Sequence, residues 1–151
     1  MSYELRSHTA DVAVAATGDD LGETFAAVAD GLAAAMCDES PETGERFSFT
    51  VRAEGLEALL FDYLDQLIYE RDVRGVLPVA NEATVREDGE EWVVAASARG
   101  VPLADVTARD VKAVTYSEMR IEEADSEEPR SSSSRPEADD DGWEAYVVLD
   151  V

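Results

Sequence analysis

The sequence predicts an α+β domain, two helices packed on a mostly antiparallel β-sheet. Two stretches repeat apolar residues at helical spacing, and the stretches around them alternate apolar with polar residues as half-buried strands do. The order along the chain is strands, helix, strand, helix and then four strands. With 151 residues, 45% of them hydrophobic, the chain is expected to form one domain over residues 1–151. A core of that size folds without a disulfide or a structural metal.

Residues 3–7 and 11–17 are expected as short strands, the second alternating Val12 and Val14 with Ala13 and Ala15 before Gly18 breaks it. Asp20 is placed to cap the first helix, and Glu23, three residues on, completes a capping box. Leu21, Phe25, Val28, Leu32 and Met36 then share one helical face, with alanines between them that permit close packing on a sheet. Phe47, Phe49, Val51 and Ala53 alternate with Ser48, Thr50 and Arg52, a strand buried on one side. Leu56, Leu59, Leu60, Tyr63, Leu64, Leu67 and Ile68 make a second amphipathic helix that Gly75 stops. Strands near 79–87 and 91–99 are joined at Asp88-Gly89, a hairpin signal, and residues 100–110 read as a loop.

From Val111 to Ile121 the alternation resumes. Unbroken, it sets Val111, Ala113, Thr115, Ser117, Met119 and Ile121 on one face and Lys112, Val114, Tyr116, Glu118 and Arg120 on the other. A last strand opens at Trp143, with Ala145, Val147, Leu149 and Val151 opposed to Tyr146, Val148 and Asp150. Residues 122–142 between them are Glu, Asp, Ser and Pro with four serines in a row. That composition buries too little apolar surface to offset the entropy of ordering, so a flexible acidic insert is expected.

Composition excludes several roles. Asp and Glu number 35 against 12 Lys and Arg, a formal charge of −23. Such a surface repels phosphates, so direct nucleic-acid binding is not expected. The acids are spread along the whole chain, a pattern that fits surface adaptation to high salt better than one dedicated acidic patch. The single cysteine, Cys37, falls where the first helix ends and reads as a packing residue; a lone free thiol fits a reducing cytoplasm. No apolar run approaches 18 residues, so neither a secretion signal nor a membrane span is expected. Gly-rich phosphate loops, cysteine zinc sites and calcium loops of the helix–loop–helix kind are missing from the sequence.

Three places remain that could carry chemistry. In His8-Thr9-Ala10-Asp11 the chain's one histidine lies three residues from an aspartate. On a flat strand the two face opposite ways, and a turn between them could bring both to one site; the plainer reading is a loop whose histidine bonds to backbone. Asp150 ends an apolar strand beside the carboxylate of Val151, and close carboxylates repel unless a cation neutralises them; the plainer reading is a solvated chain end. Lys112 is the only lysine, able to neutralise a carboxylate cluster or reach a partner's phosphate, or simply a surface charge.

These segments fall into a recognisable series. Tyr3-Glu4-Leu5 with His8-Thr9-Ala10-Asp11-Val12, then Met36-Cys37-Asp38, then Leu59-Leu60-Phe61-Asp62-Tyr63-Leu64 with Leu67-Ile68-Tyr69 come first. Gly100-Val101-Pro102-Leu103, Val111-Lys112-Ala113-Val114-Thr115-Tyr116, and Trp143-Glu144-Ala145 through Leu149-Asp150-Val151 complete it. The series resembles the archease family from residue 3 to 151, outside the acidic insert. Each motif is weak alone, but their order is specific.

The resemblance implies an accessory protein without catalysis of its own. Its partner would be an RtcB-type RNA ligase of tRNA splicing, its action to promote guanylylation of the ligase from GTP and multiple turnover. It implies a divalent cation, calcium first and manganese or magnesium next, held by Asp11, Asp150 and a main-chain oxygen of Val151. Such all-oxygen donors suit hard ions. His8, Lys112 and Asp38 are implied as supporting or partner-contacting residues. One departure stands out: Ser117 occupies a position where the family often has histidine. Two rival readings are a metal-dependent hydrolase using His8, Asp11 and Asp150 and a general chaperone-like cation-binding module.

Overall fold

Among the described residues, backbone alternation and helical periodicity resolve into nine principal elements. They are β1 (Ser2–His8), β2 (Asp11–Gly18), α1 (Leu21–Met36), β3 (Glu45–Ala53), α2 (Leu56–Arg74), β4 (Val76–Asp88), β5 (Glu91–Pro102), β6 (Ala113–Glu123) and β7 (Trp143–Asp150). A computed structural model describes residues 2–8, 11–37, 42–108, 111–123 and 142–150. The fold is α+β. Its strands divide between a four-stranded sheet, ordered β1-β2-β7-β6, and a three-stranded sheet, ordered β3-β5-β4, and each of these pairings is antiparallel.

The first helix shows how the two sheets share one core. Asp20 accepts a hydrogen bond from the Glu23 amide at 2.8 Å, and the Glu23 carboxylate accepts one from the Asp19 amide at 3.0 Å. This is the expected capping exchange, with the return bond landing one residue early. The face carrying Phe25, Val28, Leu32 and Met36 is buried, as are most of the alanines around it. A Cβ on Gly22 would stand 2.4 Å from the Ala83 carbonyl of β4, and one on Gly31 2.6 Å from a Val14 methyl of β2. The small residues of α1 therefore let it touch a strand of each sheet.

The second helix buries Leu59, Leu60, Tyr63, Leu64 and Leu67 completely. The Tyr63 ring lies 5.9 Å from both Phe25 and Phe49, joining α1, α2 and β3. Burial, reinforced by the negative charge of Asp30, pushes the Tyr63 hydroxyl well above its ordinary range. Gly75 ends the helix in the left-handed conformation, its N–H bonded to the Arg71 carbonyl at 2.8 Å.

Several boundaries move. The strand expected from residue 79 begins at Val76, and β5 runs on to Pro102 into a short 3-10 helix, Leu103–Asp105, where a loop was expected. Asp88 and Glu91 are register partners, so the hairpin turn is Gly89-Glu90 rather than Asp88-Gly89. The larger correction concerns β6. Between Thr115 and Arg120 it advances five residues while β7 advances two, from Val148 to Tyr146. Glu118 takes a positive φ of 58° there. The odd number of extra residues flips the alternation. Val114 and Ile121 therefore share the core face, while Arg120 shares the outer face with Thr115. The insert expected at 122–142 lies mostly outside the described residues.

Candidate functional site

The register of the four-stranded sheet sorts its outer face into rows. One row reads His8, Asp11, Asp150, Ala113, each residue directly opposite the next across β1, β2, β7 and β6. Farther along come Arg6, Ala13, Val148, Thr115, then Glu4, Ala15, Tyr146, Arg120, and last Ser2, Thr17, Glu144, Glu122. Residues between these rows, such as Val14, Val147 and Leu149, form the core face. The chain reverses between His8 and Asp11, so the two meet as register partners. Two sequence positions far apart, 11 and 150, stand side by side because β2 and β7 are neighbours.

Behind the first row, four elements end together. Asp150 is exposed. Its carbonyl accepts a hydrogen bond from the Lys112 amide at 2.8 Å. Lys112 is exposed and stands just before β6, where the sequence reading placed it inside the strand. Val111, fully buried, offers its carbonyl to the Arg71 guanidinium at 3.2 Å. The same Arg71 nitrogen donates to the Met36 sulfur at 3.2 Å, at the last turn of α1, and Arg71 Nε bonds Asp72 at 3.0 Å. Arg71 is 8% exposed, a cation buried beneath the acidic end of the sheet.

The neighbouring turn of α2 holds a second charged group. Glu70 is buried and accepts hydrogen bonds from Gln66 at 2.8 Å and from Arg74. Burial raises its pKa, but those bonds and the Arg74 charge outweigh it, so the Glu70 carboxyl is held below the usual range.

The opposite end of the same face carries a cavity of about 510 Å³ lined by Glu4, Thr17, Arg120, Glu122, Glu144 and Tyr146 among others. Glu122 and Glu144 are register partners there. Arg120 lies over the Tyr146 ring at 4.7 Å and pairs with Glu122 at 3.3 Å. Concavity and the expected chemistry thus separate, four to six residues apart along β7.

Of the residues singled out by sequence, the backbone brings His8, Asp11, Lys112 and Asp150 to one end. Cys37 caps α1 half-buried against the core, as a packing residue would. Asp38 and Val151 lie outside the described residues. Among the described residues, no three His, Cys, Asp or Glu side chains are grouped to hold a metal ion; of the expected ligands, that set includes only the Asp150 side chain. Arg71 escaped the sequence reading. Its signal was available: it follows Leu67 by four residues and Ile68 by three, on the buried face of α2.

Comparison with known proteins gives a consistent answer. The chain matches the Archease protein family (MTH1598/TM1083) over residues 3–151. It is 37% identical over 126 residues to a protein archease of Thermococcus gammatolerans, covering 80% of this chain and 87% of the relative. With a protein archease of Methanosarcina acetivorans it shares 30% over 158 residues, covering 99% and 95%. The solution structure of Methanobacterium thermoautotrophicum protein 1598 superposes with a TM-score of 0.73 at 25% identity, over 99% of both chains. A crystal structure from Thermotoga maritima, described as an archease and possible chaperone, shares the fold with a TM-score of 0.53 at 19% identity, over 98% and 96% of the two chains. No helix among the described residues is long and apolar enough to cross a membrane.

Proposed function

The chain belongs to the archease family, and from that premise we propose that it is a cation-binding accessory protein that activates an RtcB-type RNA ligase. The observation that carries this reading is the row His8, Asp11, Asp150, Ala113, in which acids near the two extremities of the chain occupy facing positions. Facing carboxylates destabilise a sheet unless something neutralises them. Asp11, Asp150 and a main-chain oxygen of Val151 are all hard oxygen donors. They fit calcium first, and manganese or magnesium next. A bound ion of that kind supplies two positive charges where the two strands would otherwise repel.

The loaded end, with Lys112 exposed beside it, docks against the nucleotide and metal site of the ligase. His8 and, after the α1 terminus, Asp38 support the ion or the contact. Activation then follows from unequal affinity for two ligase states. The protein binds more tightly to the state that accepts GTP and metal, and so populates it. RNA is not part of this contact, because a chain of charge −23 gains nothing from a polyphosphate backbone.

The test is guanylylation of the purified ligase from GTP, alone, with the intact protein, and with its Asp150→Ala variant. The intact protein raises the rate and the yield over repeated turnovers, and the variant does not. Guanylylation unchanged by the intact protein rejects the proposal.

A further inference from the structure

We infer that Arg71 is the positioning residue of the Asp11–Asp150 end, an inference that rests on the reading of that end as an ion site. The location is unusual for a cation. Every fourth or third residue before it on the same helical face, Leu60, Leu64, Leu67 and Ile68, is apolar and buried in the core. A leucine or methionine at 71 would continue that face. A guanidinium there loses its hydration, which is tolerated only where its donors meet acceptors.

Those acceptors explain the choice. Val111 precedes β6 and lies outside any ladder. Its carbonyl and the Lys112 N–H are the two polar ends of one peptide unit. Arg71 donates to the carbonyl at 3.2 Å, and the N–H donates to the Asp150 carbonyl at 2.8 Å. The peptide plane is thus held from both sides. A charged donor on the carbonyl also polarises the unit and strengthens its N–H bond. The next residue, Ala113, is the register partner of Asp150, which is in turn the partner of Asp11. Arg71 therefore sets where the backbone of Asp150 lies without touching its carboxylate. Through the Met36 sulfur, the same nitrogen ties in the end of α1.

Lysine keeps the charge but has no planar fork to serve the carbonyl, the sulfur and Asp72 together. The test uses the full-length, ¹⁵N-labelled protein as wild type, Arg71→Lys and, as a variant that spares the peptide contact, Met36→Leu. Amide exchange is followed for Lys112 and for Val94 in the central strand of the three-stranded sheet, without added metal. Calcium affinity is then measured by titration. The inference predicts that Arg71→Lys exchanges the Lys112 amide at least about tenfold faster, against about 1.4 kcal/mol by the usual conversion, while Val94 keeps its rate. Met36→Leu leaves both rates unchanged. Calcium affinity falls about tenfold in Arg71→Lys only. Equal acceleration at Lys112 and Val94, or an unchanged Lys112 rate, overturns the positioning role. Wild-type protein that binds no divalent ion overturns the ion-site reading instead, and the exchange arm still decides the role of Arg71 in the metal-free protein.

Discussion

The outer face of the four-stranded sheet carries two pairs of facing acids, and they are built differently. Glu122 and Glu144 face each other at one end, beside Arg120, which pairs with Glu122 at 3.3 Å and lies over Tyr146. Asp11 and Asp150 face each other at the other end, and among the described residues Asp150 forms no ion pair. The buried cation nearby, Arg71, donates to a backbone carbonyl, a sulfur and Asp72. At one end Arg120 offsets one of the two carboxylates within the outer face. At the other end the proposed ion or partner would supply the offsetting charge. The cavity of about 510 Å³ lies at the Glu122–Glu144 end, away from the end proposed to hold the ion.

The strongest way to break this contrast is to remove one acid from each pair. Asp150→Ala weakens calcium or manganese binding by more than about 100-fold, beyond the roughly 10–100-fold typical of groups that only support a ligand. Glu144→Ala leaves the affinity within about twofold, since its pair already has a cation. Calorimetric titration of both variants checks this, and equal losses would erase the distinction between the ends.

A second variant tries to convert one end into the other. Arg120→Gln strips Glu122 and Glu144 of their arginine, so a weak second divalent site appears at the cavity end in low salt. The same change lowers stability by about 0.5–1 kcal/mol through the lost ion pair and ring contact. Titration stoichiometry and a urea midpoint report both effects.

The smallest expected effect concerns Glu70, a carboxylate on α2 beside Arg71 that has its own arginine. Burial raises its folded pKa, but Arg74 and Gln66 outweigh that and leave it lowered. Its contribution is therefore complete above the unfolded glutamate range and lost as pH falls through the lower folded value. Glu70→Gln costs about 0.3–0.5 kcal/mol at neutral pH, and the gap to wild type closes in acid below the ordinary carboxylate range. Urea midpoints across pH 3–7 (roughly the span over which glutamates titrate) measure it.

How legible this was follows from what each pattern encodes. The helical faces of α1 and α2 could be read because burial on one side leaves a period of 3.6 in the sequence. Alternation likewise marked β3, β5 and β7. Alternation does not say which strand pairs with which, so the division into two sheets was hidden. The β6 irregularity was hidden too, because Tyr116 to Met119 go on alternating in the sequence while the ladder beside β7 slips. Asp150 stood out as an acid at the end of an apolar strand, yet only the β2–β7 register makes it a neighbour of Asp11. Arg71 carried a signal in its spacing from Leu67 and Ile68, but cations near a helix C-terminus are common for dipole reasons and that masked it.

The central claim is that the first row of the sheet, and not the acidic surface at large, holds the ion. The most direct measurement is loss of backbone amide signals in the ¹⁵N-labelled protein as manganese is added in small steps. The account predicts that His8, Asp11, Ala113 and Asp150 broaden first, while Glu4, Tyr146 and Glu122 persist. Broadening that starts at Glu122 and Glu144, or spreads evenly over the surface, contradicts it.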